Sequence, residues 1–306
     1  MHRVVVTGAN KGIGLAIVKR LLETEPTAFV FLGARDASRG QDAAKALIDE
    51  NSTFSGRVEA LQIDVSSDDS VERAAEAVRA RFSDSATPLT ALVNNAGIMN
   101  FEFSRSAFEQ CIDVNFRGVV RATDAFLPLL DPSNGRVVSI SSSMGPSFVK
   151  KCSAERRALL VDPSVTFSQI MEFVEECLHI AEKGESDVSS AFEEAGLKGA
   201  GDQAGYGLSK ALVNMYTMCV ARQKPSMLVN SCSPGLIKTE LASSFLSNMP
   251  RTLDEMGAKP PSEGAKAPVF LAVGSPPGSG RYYGSDGLRS PLDQYRSPGS
   301  PAYEGE

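Results

Sequence analysis

Histidine is nearly missing from this chain: 306 residues hold only two, His2 and His179. Tryptophan is absent. With so little imidazole, any proton transfer near neutral pH must fall to another side chain. The five cysteines, Cys111, Cys152, Cys177, Cys219 and Cys232, form no C-x-x-C pair, and their number is odd. That excludes a disulfide framework and a zinc site and fits a reducing compartment, with thiols as small core residues. No apolar run approaches the roughly 18 residues of a membrane helix. The opening "MHRVVVTGAN" is too soon interrupted to read as a signal peptide, and "YEGE" at the other end carries no lipidation or retention signal. A net charge of −6 argues against general binding to nucleic acid or to an anionic membrane. The expected location is cytoplasmic. An anionic cofactor would have to be drawn in by local basic residues and helix ends.

What the chain does have is a rhythm. Short β-branched runs ("RVVVTG", "AFVFLGAR", "RVEALQIDV", "LTALVNNAG", "GRVVSISS", "SMLVNSCSPG" and "GRYYG") alternate with longer helix-like segments. Continuous apolar strands are covered on both faces, and repeated βα alternation predicts a doubly wound, Rossmann-type parallel sheet of about seven strands with helices on both faces. Ligands of such folds bind at the C-terminal ends of the strands. One domain is expected over 1–285, interrupted at 143–205 by an insertion that reads as polar and irregular. Its exception is an amphipathic helix with Phe167, Ile170, Met171, Val174, Cys177, Leu178 and Ala181 on one face. Residues 286–306, rich in Gly, Ser and Pro, read as an extended tail.

Polar motifs stand at the strand ends. "TGANKGIG" follows the first strand and opens the first helix. Gly8 permits a tight turn, Gly12 lets the backbone approach a phosphate, and Gly14 allows close helix–strand packing. The second strand ends in "LGARD". Arg35 stands there where an NAD site often has an acid, and with Lys11 it can pair with a 2′-phosphate, which favours NADP. Asp64 ends the third strand, Asn94 and Asn95 the fourth, and Ser141, Ser142 and Ser143 the fifth. Asp64 reads equally well as a turn residue before the next helix. In "AGYGLSKALVNMY", Tyr206 and Lys210 lie four apart and so share a helix face. A phenol titrates near pH 10, and a neighbouring ammonium is expected to lower that value enough for acid–base work.

These motifs, in this order, resemble the short-chain dehydrogenase/reductase family over about residues 1–285. Thr7, Gly8, Gly12 and Gly14 match its T-G-x-x-x-G-x-G turn, Asn94–Gly97 its N-N-A-G, and Pro234, Gly235, Ile237 and Thr239 its P-G-x-x-x-T segment. The resemblance implies a catalytic tetrad of Asn115, Ser142, Tyr206 and Lys210. It implies a cofactor-binding set of Gly8, Asn10, Lys11, Gly12, Ile13, Gly14, Arg35, Asp64, Val65, Asn94, Tyr206, Lys210, Pro234, Gly235, Ile237 and Thr239. Ser142, Ser143, Met144, Leu236 and Leu241 are the expected substrate pocket, and no metal is expected.

Within the family the chain looks most like the monomeric NADPH-dependent carbonyl reductases. In these, an inserted helical segment covers the face that other members use to form oligomers. The insertion is longer than usual, with extra sequence near Ser186–Gly201. The implied activity is NADPH-dependent reduction of ketones, aldehydes or quinones, with Tyr206 as proton donor, Ser142 holding the carbonyl oxygen, Lys210 tuning the phenol, and Asn115 holding a water. The implied partners are a small carbonyl compound and NADPH, with no nucleic acid and no membrane. Two alternatives stay open: an NADP-dependent alcohol or steroid dehydrogenase working oxidatively, and a non-catalytic NADPH-binding regulator.

Overall fold

A computed structural model of the chain describes residues 1–100, 104–183, 188–198, 204–246 and 251–305. In chain order the elements are β1 (Arg3–Val6), α1 (Gly12–Thr24), β2 (Phe29–Ala34), α2 (Ala37–Glu50), β3 (Val58–Gln62), α3 (Asp68–Arg81), β4 (Ala91–Asn94), α4 (Arg105–Ile112), α5 (Gly118–Phe126) and β5 (Arg136–Ile140). There follow α6 (Met144–Lys151), α7 (Ala154–Val161), α8 (Phe167–Lys183), α9 (Val188–Glu194), α10 (Ala204–Gln223), β6 (Leu228–Cys232), α11 (Glu240–Leu246), α12 (Pro261–Gly264), α13 (Lys266–Val273) and β7 (Tyr282–Tyr283).

The seven strands form one sheet in the order β3-β2-β1-β4-β5-β6-β7, and every pair is parallel. The chain winds outward from β1 to β3, then returns to the other side of β1 at β4. That reversal leaves a crevice beyond the ends of β1 and β4.

The strands show why a continuous apolar run suits this position. Val4, Val5 and Val6 are all fully buried, yet they serve opposite faces. Val4 and Val6 join the core beneath α1, α2 and α13, whereas Val5 joins the core beneath α3, α5 and α10. Each of these three β1 positions therefore needs to be apolar. Capping sets several helix starts. Asp36 accepts from the Arg39 amide at 3.0 Å to open α2, and Ser67, Ser104 and Ser153 do the same for α3, α4 and α7. Helix α1 is different: Lys11 is its N-cap and provides no side-chain cap.

Several expectations change here. The insertion carries helices α6 to α9, where the sequence showed one. Its short helices look polar because only a few of their residues, among them Phe148, Val149, Leu160, Val188 and Phe192, reach the core. Part of the extra sequence near Ser186–Gly201 lies outside the described residues. On α8 the fully covered residues are Ile170, Phe173, Val174, Cys177 and Ala181. Phe167, Met171 and Leu178 sit at the margin of that face. Between β4 and β5, a π-helical turn at Asp113–Arg117 joins α4 to α5. Among its described residues the tail has no helix or strand, but it is pinned in place. Arg296 is 8% exposed, ion-pairs with Asp286 and donates to the carbonyl oxygens of Arg289 at 3.1 Å and Ser300 at 2.9 Å. All five thiols are buried and none is in a disulfide.

Candidate active site

The crevice is a cleft of about 1080 Å³ along the C-terminal edge of the sheet. Its outer end is the glycine turn. Gly8 and Gly12 have φ of +61° and +58°, a backbone that disfavours other residues. A Cβ on Gly8 would lie 2.8 Å from the Ala96 Cα, so β1 and β4 approach here too closely for any side chain. Asn95 ties the two together by donating from Nδ2 to the carbonyl oxygens of Thr7 at 2.9 Å and Gly8 at 3.0 Å. The turn delivers the first amide groups of α1 to the cleft with no side-chain cap and no acidic residue in the first turn. That arrangement favours an anion.

Arg35, Arg39 and Lys11 line the same end. Among the described residues Arg35 makes no ion pair, while Lys11 pairs with Glu240 across the cleft. Asp64 also lines the cleft, and its Oδ1 accepts from the Ser66 amide at 3.0 Å and the Ser66 hydroxyl at 2.7 Å. It is thus both a turn residue and a wall residue.

The inner end holds Ser142, Tyr206 and Lys210. The start of α10 places Tyr206 and Lys210 on one face, and α6 packs against that helix. Ser142 follows β5, and its hydroxyl accepts from the Met144 amide at 3.2 Å and is hydrogen-bonded to Tyr206. Lys210 is 4% exposed and donates from Nζ to the Ile140 carbonyl oxygen at 2.8 Å. Its Nζ stands 5.5 Å from the Tyr206 ring centre.

The expectation that Lys210 lowers the Tyr206 phenol is not met here. Burial dominates and pushes Tyr206 up to about 12, with the Ser142 hydrogen bond opposing it. Burial also lowers Lys210 to about 8. The phenol is therefore a neutral acid at neutral pH, and the amine is close to its titration point.

Most of the residues expected from the sequence converge on this one cleft: Gly8, Asn10, Lys11, Gly12, Ile13, Gly14, Arg35, Asp64, Val65, Ser142, Ser143, Met144, Tyr206, Lys210, Pro234, Gly235, Leu236, Ile237, Thr239 and Leu241. Two do not line it. Asn94 points away from the cleft, 3% exposed, and donates to the Thr123 hydroxyl at 3.0 Å. Because side chains alternate along a strand, Asn95 faces the glycine turn instead.

Asn115 is fully buried behind the wall, in the π turn. Its Oδ1 accepts from the Ile98 amide at 2.8 Å, and its Nδ2 donates to the Ile98 carbonyl oxygen at 2.9 Å and the Ser209 hydroxyl at 3.1 Å. Its side chain therefore holds the 96–98 loop against α10 beside Lys210. A Cβ on Gly97 would come within 3.1 Å of the Asn115 Oδ1 and 3.6 Å of the Lys210 Nζ, so the loop passes between them.

Sequence reasoning missed Arg39, Met99, Val114 and Glu240 on the walls. Arg39 lies in the first turn of α2, four residues after Arg35, so its nearness to the strand end could have singled it out. Glu240 and Val114 carry no such signal, since only the fold brings them to the cleft. Among the described residues no helix is long and apolar enough to cross a membrane. Within the same residues, no group of three His, Cys, Asp or Glu side chains is placed to hold a metal ion.

Comparison with known proteins agrees with this geometry. The family model described as short chain dehydrogenase matches residues 2–154. Short-chain dehydrogenase/reductase 1 of Saponaria officinalis is 33% identical, over 91% of this chain and 92% of that protein. NADPH carbonyl reductase 1 of Homo sapiens is 30% identical, over 92% of this chain and 94% of that protein. Among solved structures, salutaridine reductase from Papaver somniferum superposes with a TM-score of 0.75 at 26% identity, covering 92% of this chain and 99% of that one. Menthone neomenthol reductase from Mentha piperita gives 0.72 at 25% identity, covering 93% of this chain and 98% of that one. With the glycine turn, the strand-end serine and the Tyr206–Lys210 pair set in one cleft, the chain belongs to the short-chain dehydrogenase/reductase family.

Proposed function

We propose that this protein reduces ketones, aldehydes or quinones with NADPH. The observation that carries the reading is the neutral, buried phenol of Tyr206, hydrogen-bonded to Ser142 at the inner end of a cleft whose outer end is basic. The glycine turn and the open start of α1 fit a pyrophosphate, and Arg35, Arg39 and Lys11 fit a 2′-phosphate. Bound along this cleft, NADPH supplies the hydride.

The chain supplies the rest. Ser142 donates to the carbonyl oxygen and steadies the charge that develops there. Tyr206 gives its proton to the same oxygen, and burial keeps that proton in place until it is needed. Lys210 lies behind Tyr206, so its charge favours the phenolate that forms as the proton leaves. Asn115 acts as a positioning residue by fixing Ile98 and Ser209. Ser143, Met144, Leu236 and Leu241 form the substrate walls. Burial keeps the phenol protonated, which is the state that reduction requires of Tyr206.

Helix α8 and its neighbours cover the outer faces of α4 and α10, and we take the protein to be a cytoplasmic monomer. A sedimenting mass near 32.5 kDa is expected, and a stable tetramer would refute the cover role. The direct test of function is oxidation of NADPH by the purified protein with a panel of quinones, aromatic aldehydes and diketones, with NADH as control. Turnover with strong preference for NADPH is expected. Binding of NADPH without turnover across the panel would overturn the reading in favour of a non-catalytic regulator.

A further inference from the structure

Glu240 opens α11 on the wall of the cleft facing the start of α1. Its carboxylate pairs with the Lys11 ammonium, a contact that joins positions 229 residues apart. The Arg39 guanidinium lies close enough to help hold Glu240 in its charged form. Lys11, Arg39 and Glu240 all line the cleft, as does Arg35. The backbone at this point is held close: a Cβ on Gly12 would stand 3.4 Å from the Thr239 methyl. The segment carrying Glu240 therefore crosses directly over the glycine turn, and the ion pair spans the cleft beside the uncapped amide groups of α1.

This is an unusual place for a carboxylate. Lys11, Arg35 and Arg39 line the cleft beside the start of α1, and an incoming phosphate there needs those charges. A carboxylate on Lys11 occupies the position a phosphate oxygen would take. It also sets a negative charge beside a dianion. NADH, with a hydroxyl where NADPH has its 2′-phosphate, makes no such demand on Lys11.

We infer that Glu240 is a specificity-determining residue: its carboxylate stands in for the 2′-phosphate on Lys11 and must release Lys11 when NADPH binds. Glu240 then works as an internal competitor that lowers NADPH affinity and leaves NADH affinity nearly unchanged. The size of the effect is bounded, because the pair is solvent-exposed, with Lys11 57% and Glu240 77% accessible. Exposed pairs hold weakly and are screened by salt. The inference rests on the reading of this end of the cleft as the 2′-phosphate site.

Isothermal titration of the full-length protein with NADPH and with NADH, at low and high salt, tests it on the wild type, Glu240→Gln and Glu240→Ala. Both variants are expected to bind NADPH about 2- to 5-fold more tightly, with NADH moving by less than about 1.5-fold. The gain should shrink at high salt. A wild type that prefers NADPH, with an unmoved or reduced preference in both variants, overturns the role of Glu240 alone. A wild type that binds the two cofactors equally overturns the phosphate-site reading, and the role of Glu240 with it. Matching thermal melts of the three proteins would show that the variants keep the fold.

Discussion

The two ends of the cleft use cationic side chains in opposite physical regimes. At the outer end Arg35 and Lys11 are exposed, and Arg39 stands beside them on the first turn of α2. Their charges are solvated, act through water and are screened by salt. At the inner end Lys210 is 4% exposed, and burial alone brings its amine down to about 8. Tyr206 is moved the other way, up to about 12, for the same reason. The outer end can therefore lose one charge and still bind an anion. At the inner end Tyr206 and Lys210 are both buried, so solvent cannot replace either group when it is changed.

That contrast can be broken or sharpened by experiment. The largest effect is expected at the inner end: Tyr206→Phe should lower kcat by about 10²- to 10⁴-fold with NADPH affinity retained. Steady-state kinetics beside a binding titration would check it, and a variant keeping most of its rate would remove Tyr206 as the proton donor.

Lys210 comes next. Its amine is lowered from 10.5 to about 8, so the unfolded chain holds this proton more readily than the folded one. Stability should therefore rise as pH goes from about 8 to 10.5 and be lost as pH falls through that window. The difference is worth at most about 3 kcal/mol. Denaturant melts should show a flatter pH slope for Lys210→Met than for the wild type, and equal slopes would mean that the amine stays charged in the fold.

The smallest effect belongs to the outer end. Arg35→Asp should reduce the preference for NADPH over NADH by about 10- to 100-fold without abolishing turnover, as read from the ratio of kcat/KM values. A ratio that does not move would take Arg35 out of phosphate recognition.

The legibility of the sequence follows the same division. Motifs whose geometry is local could be read directly. The glycine turn follows a strand and opens a helix within a few residues, and Tyr206 and Lys210 share a face because a helix turns every 3.6 residues. Strand-end residues such as Ser142 and Asp64 were also visible, because a parallel sheet puts all its strand ends on one rim. The direction of a side chain at a strand end was less so. Asn94 and Asn95 are adjacent and chemically identical, yet one turns to Thr123 and the other to the glycine turn. The insertion looked irregular because its short helices each bury only a few residues. The tail looked detached because it carries few apolar residues, and its buried Arg296 is held mostly by backbone carbonyl oxygens.

The sequence by itself determined the doubly wound sheet, the position of the glycine turn and the placing of Tyr206 and Lys210 on one helix face. All of these follow from short-range periodicity and from the residue types that tight turns and buried strands require. Only the tertiary structure decided which groups stand close in the cleft and in what state of charge. Desolvation depends on what packs around a side chain, and no local pattern records it. Burial is what raises the phenol of Tyr206, and Glu240 reaches Lys11 only because the segment after β6 folds back over α1.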